Sequence, residues 1–173
     1  MSEEYFDIYD PATGAPAGRR LRRECHGNPA LLHRAVHVAV FHPLEPALLL
    51  QKRKSTKDVQ PGKWDTAVGG HLQIGEDYFS GALRELAEEL GVHDDGSSLE
   101  YLFDLKIRNE IESEDVRVFK LIRSGGFHIQ EEELDEVRFW TFPELFDPEN
   151  RRQFTPNLCV ELDRLRAEGR LAF

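Results

Sequence analysis

The chain has 173 residues, of which 40% are hydrophobic and 31% are charged, and its formal net charge is −10 at pH 7. This composition is typical of a soluble globular protein with a buried core, and we expect one domain over residues 1–173. The acidic balance argues against binding to nucleic acid polymers, whose backbones require a basic surface. It is compatible with a small phosphorylated substrate, because metal ions can neutralise phosphate charge.

The cysteines and the N-terminal sequence bear on the compartment. Cys25 and Cys159 are far apart and lack the spacing of a zinc site, so we interpret both as reduced structural residues. The acidic N-terminus contains no apolar run of the kind found in signal peptides. No stretch approaches the roughly 20 apolar residues that a membrane helix requires. We therefore expect a cytoplasmic protein without a membrane partner.

The first half of the chain predicts mainly strands. Residues 1–30 read as a short strand extension, and the valine-rich segment 32–42 predicts a long central strand. A basic loop at residues 52–63 follows the returning strand of a hairpin. The predicted strands lie at residues 6–9, 18–24, 32–42, 48–52 and 65–68.

The second half adds helices to the predicted sheet. A helix is expected at about residues 77–90, and an amphipathic helix at 156–169 carries Leu158, Leu162 and Leu165 on one side. Further strands are predicted at 101–107, 116–122 and 137–142, with a short helical turn at 143–146. The pattern predicts an α/β (α+β) fold in which a mixed β-sheet lies between α-helices.

The helix at residues 77–90 has two faces of different character. Its apolar face is predicted to contain Phe79, Leu83, Leu86 and Leu90. Glutamates at i, i+3 and i+4 share another face. Like charges at this spacing destabilise a helix by roughly 0.2–0.5 kcal/mol per pair. Mg²⁺ binding would offset that repulsion, because Mg²⁺ prefers oxygen ligands and is often shared between carboxylates and substrate phosphates. The three glutamates are Glu85, Glu88 and Glu89.

The same segment contains a spaced motif that resembles the Nudix box of the Nudix hydrolases. Nine positions fit it in residue type and spacing: Gly70, Glu76, Arg84, Glu85, Leu86, Glu88, Glu89, Gly91 and Val92. The resemblance implies the Nudix fold and a hydrolase that cleaves a diphosphate linkage with Mg²⁺ or Mn²⁺ as cofactor. It implies that the three helix glutamates bind metal and that Glu76 and Arg84 brace them. The catalytic candidates are therefore Glu76, Arg84, Glu85 and Glu88.

Several further residues are candidates for proton transfer and substrate binding. The general base is either a helix glutamate or an acid from a later loop, where the candidates are Glu131, Glu132, Glu133 and Glu136. A cation from the basic loop can meet the outer phosphate. We take Arg53, Lys63 and Gly70 as the substrate-binding candidates.

A second resemblance, covering about residues 30–160, is to the type I isopentenyl diphosphate isomerases, which share the Nudix fold. It rests on Leu32–Ala35, Pro61–Trp64, Gly70-His71, Glu112–Glu114 and Phe154–Pro156, which occur in the isomerase order. In that family a metal is held by histidines and glutamates. The matching positions, which define a candidate second metal site, are His33, His71, Glu89, Glu112 and Glu114.

The chain departs from the isomerases at their reactive cysteine. Residues 66–71 lack a thiol, and the chain has the intact box that those isomerases generally lack. We therefore interpret it as a hydrolase of the isomerase-like branch, acting on a nucleoside diphosphate derivative or another small organic diphosphate. An isomerase-like enzyme and a noncatalytic diphosphate-binding module are the alternatives. A homodimer is compatible with the sequence.

Overall fold

The computed structural model of the protein describes residues 3–171, so both ends of the predicted 1–173 domain lie just outside the described part. Within that part, nine strands form one sheet. The strands are β1 (Tyr5–Tyr9), β2 (Pro16–Leu21), β3 (Leu32–Phe41), β4 (Ala47–Arg53), β5 (Trp64–Thr66), β6 (Val68–His71), β7 (Glu100–Arg108), β8 (Ser113–Ile122) and β9 (Leu134–Thr141). The helices are α1 (Arg22–Cys25), α2 (Tyr78–Leu90), α3 (Phe142–Phe146), α4 (Pro148–Arg151) and α5 (Pro156–Ala167).

Strand β3 is the centre of the sheet. It runs parallel to β8 along its whole length and antiparallel to β6. Nearly all of its side chains are buried, which explains why the segment reads as an almost continuous apolar run. The register places His33 opposite Glu114 and Ala35 opposite His71, so polar residues from three strands meet at one end of the sheet.

Helices cover both faces of the sheet, as predicted. Val36, Val38 and Val40 on one face of β3 form a core with the buried residues of α2. Ala35 and Ala39 on the other face form a second core with the leucines of α5. Alternation along a strand sends successive side chains to opposite faces, so one strand serves both cores. No helix within residues 3–171 is long and apolar enough to cross a membrane.

Helix α2 begins after an aspartate cap and ends at a glycine. The Asp77 side chain accepts a hydrogen bond from the Ser80 amide at 2.8 Å, and Gly91 ends the helix with φ +62°. The apolar face differs from the prediction, because Phe79 is 42% exposed. Gly81 takes the buried place, where a Cβ would lie 2.5 Å from the Leu72 side chain. Position 81 is thus too close to Leu72 for a larger side chain.

Two predicted strands were wrong in extent. The strand expected at residues 18–24 ends at Leu21, where the carboxylate of Glu24 accepts a hydrogen bond from the Leu21 amide at 2.9 Å and α1 begins. The strand expected at 65–68 is divided at Ala67 into β5 and β6. The two halves pair with different partners, β4 and β3, so the chain changes neighbours at this point.

Candidate active site

A polar cavity of about 690 Å³ is lined by residues of β3, β6, α2 and the N-terminal end of α5. Charged side chains from the N-terminal segment, the basic loop and the β7–β8 turn enclose it. Within residues 3–171, no Phe, Tyr or Trp lines it. The predicted site residues in its lining are Arg53, Gly70, His71, Arg84, Glu85, Glu88, Glu89, Glu112 and Glu114.

The three box glutamates differ in their exposure to water. Glu85 is 9% exposed, whereas the side chain of Glu88 is 50% exposed. Glu89 accepts hydrogen bonds from the Gln51 side chain and the Gly69 amide, both at 3.1 Å, and these donors are neutral. Burial raises the pKa of Glu85, and burial together with the charge of Glu85 raises the pKa of Glu89 to about 8. Glu85 and Glu89 are therefore poorly solvated carboxylates, which cations would stabilise.

Arg84 braces two of these glutamates, Glu85 and Glu88. Its guanidinium forms a bidentate pair with Glu76, with N–O distances of 2.8 and 2.9 Å. The same side chain contacts Glu85 at 2.7 Å, Glu88 at 3.2 Å and the carbonyl of His71 at 3.1 Å. The hydrogen bonds from Arg84 lower the pKa of Glu76, which does not line the cavity in the described structure. Glu76 thus anchors Arg84, which in turn holds the carboxylates of α2.

Gly70 gives space to Glu85. A Cβ at Gly70 would lie 2.1 Å from the carboxylate carbon of Glu85 and from one of its oxygens. Any other residue would therefore push that carboxylate out of its position. This close approach explains the glycine at the start of the box, because the strand and the glutamate could not otherwise meet.

A second cluster contains three histidines, of which His26 and His71 line the cavity and the fully buried His33 is outside the described lining. The nitrogen ligand atoms of His26, His33 and His71 all lie within 4.8 Å of one another. Glu114 joins two of them, since one of its oxygens lies 3.1 Å from His33 Nε2 and 2.7 Å from His71 Nε2. Glu89, which the isomerase resemblance assigns to this set, forms its described hydrogen bonds with Gln51 and Gly69 instead.

The charge state of this cluster suits a cation. Burial, with the charge of His71, lowers the pKa of His26 to about 4, and burial also lowers that of His71. Both rings therefore favour the neutral form that binds metals. The pKa of Glu114 lies well below its usual value because His71 and His33 outweigh its burial. His33 has a raised pKa: although burial lowers it, the hydrogen bond and charge of Glu114 dominate.

Glu112 lies beside the histidine cluster. Asn157, in the first turn of α5, donates a hydrogen bond to its carboxylate at 2.7 Å. Burial and the charge of Glu114 raise the pKa of Glu112 to about 7. Four predicted residues of the second site, His33, His71, Glu112 and Glu114, are therefore close together, and Glu89 is not part of this group. The carboxyl of Glu112 is one that a cation would help to ionise.

The basic loop contributes two cations to the cavity. Arg53 donates to the carbonyl of Val59 at 3.1 Å and lies 3.9 Å from Asp65, while Lys57 forms an ion pair with Glu133. Among the candidate loop bases, Glu133 is the one in the described lining. Lys63, the other basic substrate-binding candidate, lies outside the described lining, and its ammonium donates to the carbonyl of Arg152 at 2.5 Å. The pairing of Lys63 with the backbone near α5 could not be read from the sequence.

Sequence reasoning missed His26 as a site residue. The chain before β3 brings the ring centroid of His26 to 5.3 Å from that of His71. Its proximity in sequence to His33 was the available signal.

Comparison with known proteins identifies the family. A model of the NUDIX domain matches residues 31–158. The chain belongs to the Nudix family. This Nudix chain is 35% identical over 145 residues to an uncharacterized Nudix hydrolase of Yersinia pestis, and the match covers 82% of this chain and 74% of that protein. The similarity to Nudix hydrolases supports a hydrolase enzyme.

A plant Nudix hydrolase is a further relative, and a solved structure has a similar fold. The chain is 33% identical over 156 residues to Nudix hydrolase 3 of Arabidopsis thaliana, a match that covers 83% of this chain but only 20% of the plant protein. The Nudix chain thus corresponds to a small part of that relative. Its fold is similar to the crystal structure of DR0079 from Deinococcus radiodurans, with a TM-score of 0.77, 22% identity, and coverage of 93% of this chain and 98% of that one.

Proposed function

We propose that this Nudix hydrolase cleaves the diphosphate linkage of a small organic diphosphate or a nucleoside diphosphate derivative, with Mg²⁺ or Mn²⁺ held by Glu85, Glu88 and Glu89. The observation that carries the proposal is the acidic face of α2, on which Arg84 pairs with Glu85 and Glu88 while the carboxylate of Glu89 accepts its described hydrogen bonds from neutral donors. Divalent cations are the partners that such oxygen-rich faces prefer. Burial and the charge of Glu85 raise the pKa of Glu89, and a bound cation would offset both effects by stabilising the ionised carboxylate.

The residues of the cavity have separate tasks in the proposed mechanism. A divalent cation, when bound, withdraws charge from the phosphate oxygens and makes water more acidic. Arg84 keeps Glu85 and Glu88 in place, and Glu76 keeps Arg84 in place. Glu88, the most exposed of the three glutamates, and Glu133, which also lines the cavity, are the candidates to accept the proton of the attacking water. Arg53 is the proposed partner of the outer phosphate.

The histidine cluster supports a second metal in the same cavity. His26, His33 and His71 with Glu112 and Glu114 offer the mixed imidazole and carboxylate set that suits Mn²⁺ or a related ion. His33 donates from Nδ1 to the carbonyl of Leu31 at 3.0 Å in its neutral form, so its Nε2 lone pair then faces the carboxylate of Glu114. Two acceptors that face each other require a proton or a cation between them.

The lining favours small organic diphosphates over nucleotides as substrates. A nucleobase is commonly held between aromatic side chains. In the described lining the rings are those of histidines, and the remaining side chains are mostly charged or amide groups. Isoprenoid diphosphates belong in the test because of the resemblance to the isomerase-like branch.

The test is turnover of a panel of diphosphates by wild type and Glu88→Gln with Mg²⁺ or Mn²⁺. The panel contains nucleoside triphosphates, nucleotide sugars, dinucleotides, coenzyme A, thiamine diphosphate and isopentenyl diphosphate. We expect phosphate-containing products from the wild type and a loss of about 10²-fold or more in kcat in the variant, the scale expected for loss of a general base. Lys106→Gln, on β7 and outside the described lining, is the control and should retain activity.

Two other outcomes would replace this proposal. Formation of dimethylallyl diphosphate from isopentenyl diphosphate without phosphate release would show an isomerase, for which the histidine cluster is the supporting observation. Ligand binding by both proteins without turnover of any diphosphate would show a noncatalytic binding module. The absence of a thiol at residues 66–71 disfavours the isomerase.

A further inference from the structure

His37, which lines the cavity, forms a buried pair with Glu161, and neither residue belongs to the proposed metal sites. Nδ1 of His37, on β3, is 2.5 Å from a carboxylate oxygen of Glu161, on α5. The hydroxyl of Thr66, on β5, donates to the other oxygen of Glu161 at 2.9 Å. His37, Glu161 and Thr66 are only 7%, 1% and 2% exposed. Because Glu161 accepts from both neighbours, it fixes the imidazole with a proton on Nδ1.

The other nitrogen of the His37 ring faces the cavity. His37 pairs across the strands with Gly69, and a Cβ at Gly69 would lie 3.4 Å from Nε2. Glycine therefore leaves this edge of the ring uncovered, and both residues line the cavity. Within residues 3–171, Nε2 of His37 has no hydrogen-bond partner. It is also not among the fully enclosed polar atoms that lack a partner, so it is not sealed off by the protein. The geometry leaves Nε2 available to a ligand in the cavity.

Charged groups from three elements act on His37. Burial alone would lower its pKa, but Glu161 of α5, through its charge and hydrogen bond, Asp65 of β5 and Glu114 of β8 raise it to about 9. The ring is therefore an imidazolium near neutral pH, with an Nε2–H donor. The imidazolium places a positively charged hydrogen-bond donor in a cavity whose lining is rich in carboxylates.

We propose that His37 is a further catalytic residue, whose Nε2–H donates a hydrogen bond to the departing phosphoryl group of the substrate, and that Glu161 and Thr66 are its positioning residues. This role rests on the proposed diphosphate hydrolysis. During that reaction the water oxygen forms a bond to phosphorus, and the bridging P–O bond breaks with its electron pair left on the bridging oxygen. His37 keeps its proton and stabilises the charge that develops on the leaving group.

Binding of methylenediphosphonate, a diphosphate mimic that cannot be hydrolysed at its bridge, tests this role. His37→Gln retains a hydrogen-bond donor but removes the charge. We expect its Kd for the mimic with Mg²⁺ to rise about 10- to 100-fold, the range for loss of a charge-assisted hydrogen bond. His93→Gln, which changes an exposed histidine outside the described lining, should bind as the wild type does.

Nitrogen NMR of the wild type gives a second readout that does not depend on a variant that folds. The His37 Nε2 resonance should shift when the mimic is added and should not shift with Mg²⁺ alone. With any substrate that the protein turns over, Glu161→Gln should lower kcat more than it raises KM. The reason is that the Nε2–H donor of His37 then loses its fixed orientation.

Three results would overturn the inference: unchanged binding in His37→Gln, an unmoved His37 resonance, or a wild type that does not bind the mimic. Failure of the proposed function would look different. In that case no diphosphate would be hydrolysed, yet binding of the mimic would still depend on His37, and the pair would be a diphosphate-binding element of a protein without turnover.

Discussion

Glu89 links the protonation of the cavity to the stability of the protein. Burial and the charge of Glu85 raise its pKa from 4.5 to about 8. Between these two values the unfolded chain has released the proton that the folded metal-free protein still holds. The contribution of Glu89 to the free energy of unfolding should therefore be most favourable below pH 4.5. This contribution should decrease as the pH rises and be lost in full above about pH 8.

Replacement of Glu89 by Gln should stabilise the metal-free protein at alkaline pH. In EDTA above pH 8 we expect the variant to melt at a higher temperature than wild type, by roughly 2–4 °C for each kcal/mol of relieved desolvation. Near pH 4.5 the difference should be small. Thermal melts at both pH values measure this, with Glu88→Gln, whose side chain is 50% exposed, as the matched control. Equal melting temperatures for wild type and Glu89→Gln at both pH values would contradict the prediction.

Single residues also show what the sequence could and could not reveal about the site. The spacing of Glu85, Glu88 and Glu89 predicted that they share one face of α2. In the structure all three line the cavity. The spacing of Glu161 indicates a buried position: it lies three residues after Leu158 and four before Leu165, on the apolar side of α5. No such local signal pairs it with His37, because their contact spans 124 positions of the chain.

At the scale of elements, α5 is the helix whose N-terminal cap can be tested most directly. Thr155 is 3% exposed, and its hydroxyl accepts a hydrogen bond from the Leu158 amide at 3.1 Å. Thr155→Val keeps the shape of the side chain but removes this acceptor. We expect a loss of about 1 kcal/mol in the free energy of unfolding, measured with urea.

Hydrogen exchange separates the loss of the cap from a general loss of packing. The Leu158 amide should exchange faster in Thr155→Val, whereas Thr155→Ser, which retains the oxygen, should keep that amide protected. Equal protection of the amide in the two variants would show that the hydroxyl does not act as the cap.

The elements that the sequence predicted well are those with a strong periodic pattern and recognisable ends. The helix expected at 156–169 is observed at Pro156–Ala167, with proline in its first turn. The short helix α1 was missed because four residues are too few to show a helical period. The division of the strand at Ala67 was missed because it depends on which strands β5 and β6 pair with, and pairing is a tertiary property.

At the scale of the whole molecule, the sheet register assembles the histidine cluster from distant segments. His33 is on β3, His71 on β6 and Glu114 on β8, while His26 comes from the turn after α1. Resemblance supplied His33, His71 and Glu114 as candidates, but their convergence depends on the parallel pairing of β3 with β8. Such pairing over long separations is fixed by the complete fold and not by local propensity.

This assembly predicts two classes of metal site that can be weakened separately. Titration of metal-free protein with Mn²⁺, followed by calorimetry, should show both classes in the wild type. His26→Gln should weaken only the histidine class, by at least about tenfold, since loss of even an outer-sphere partner commonly lowers metal affinity by about 10- to 100-fold. His26 is the preferred position because its side chain is 14% exposed, whereas that of His33 is fully buried.

Glu88→Gln is the complementary variant, which should weaken only the glutamate class. If both substitutions weakened the same class and left the other intact, the two clusters would be parts of one metal site. If neither changed the titration, the cavity would bind Mn²⁺ through other groups. Independent losses would show that the cavity holds cations on both sides, and a diphosphate bound between them could contact both.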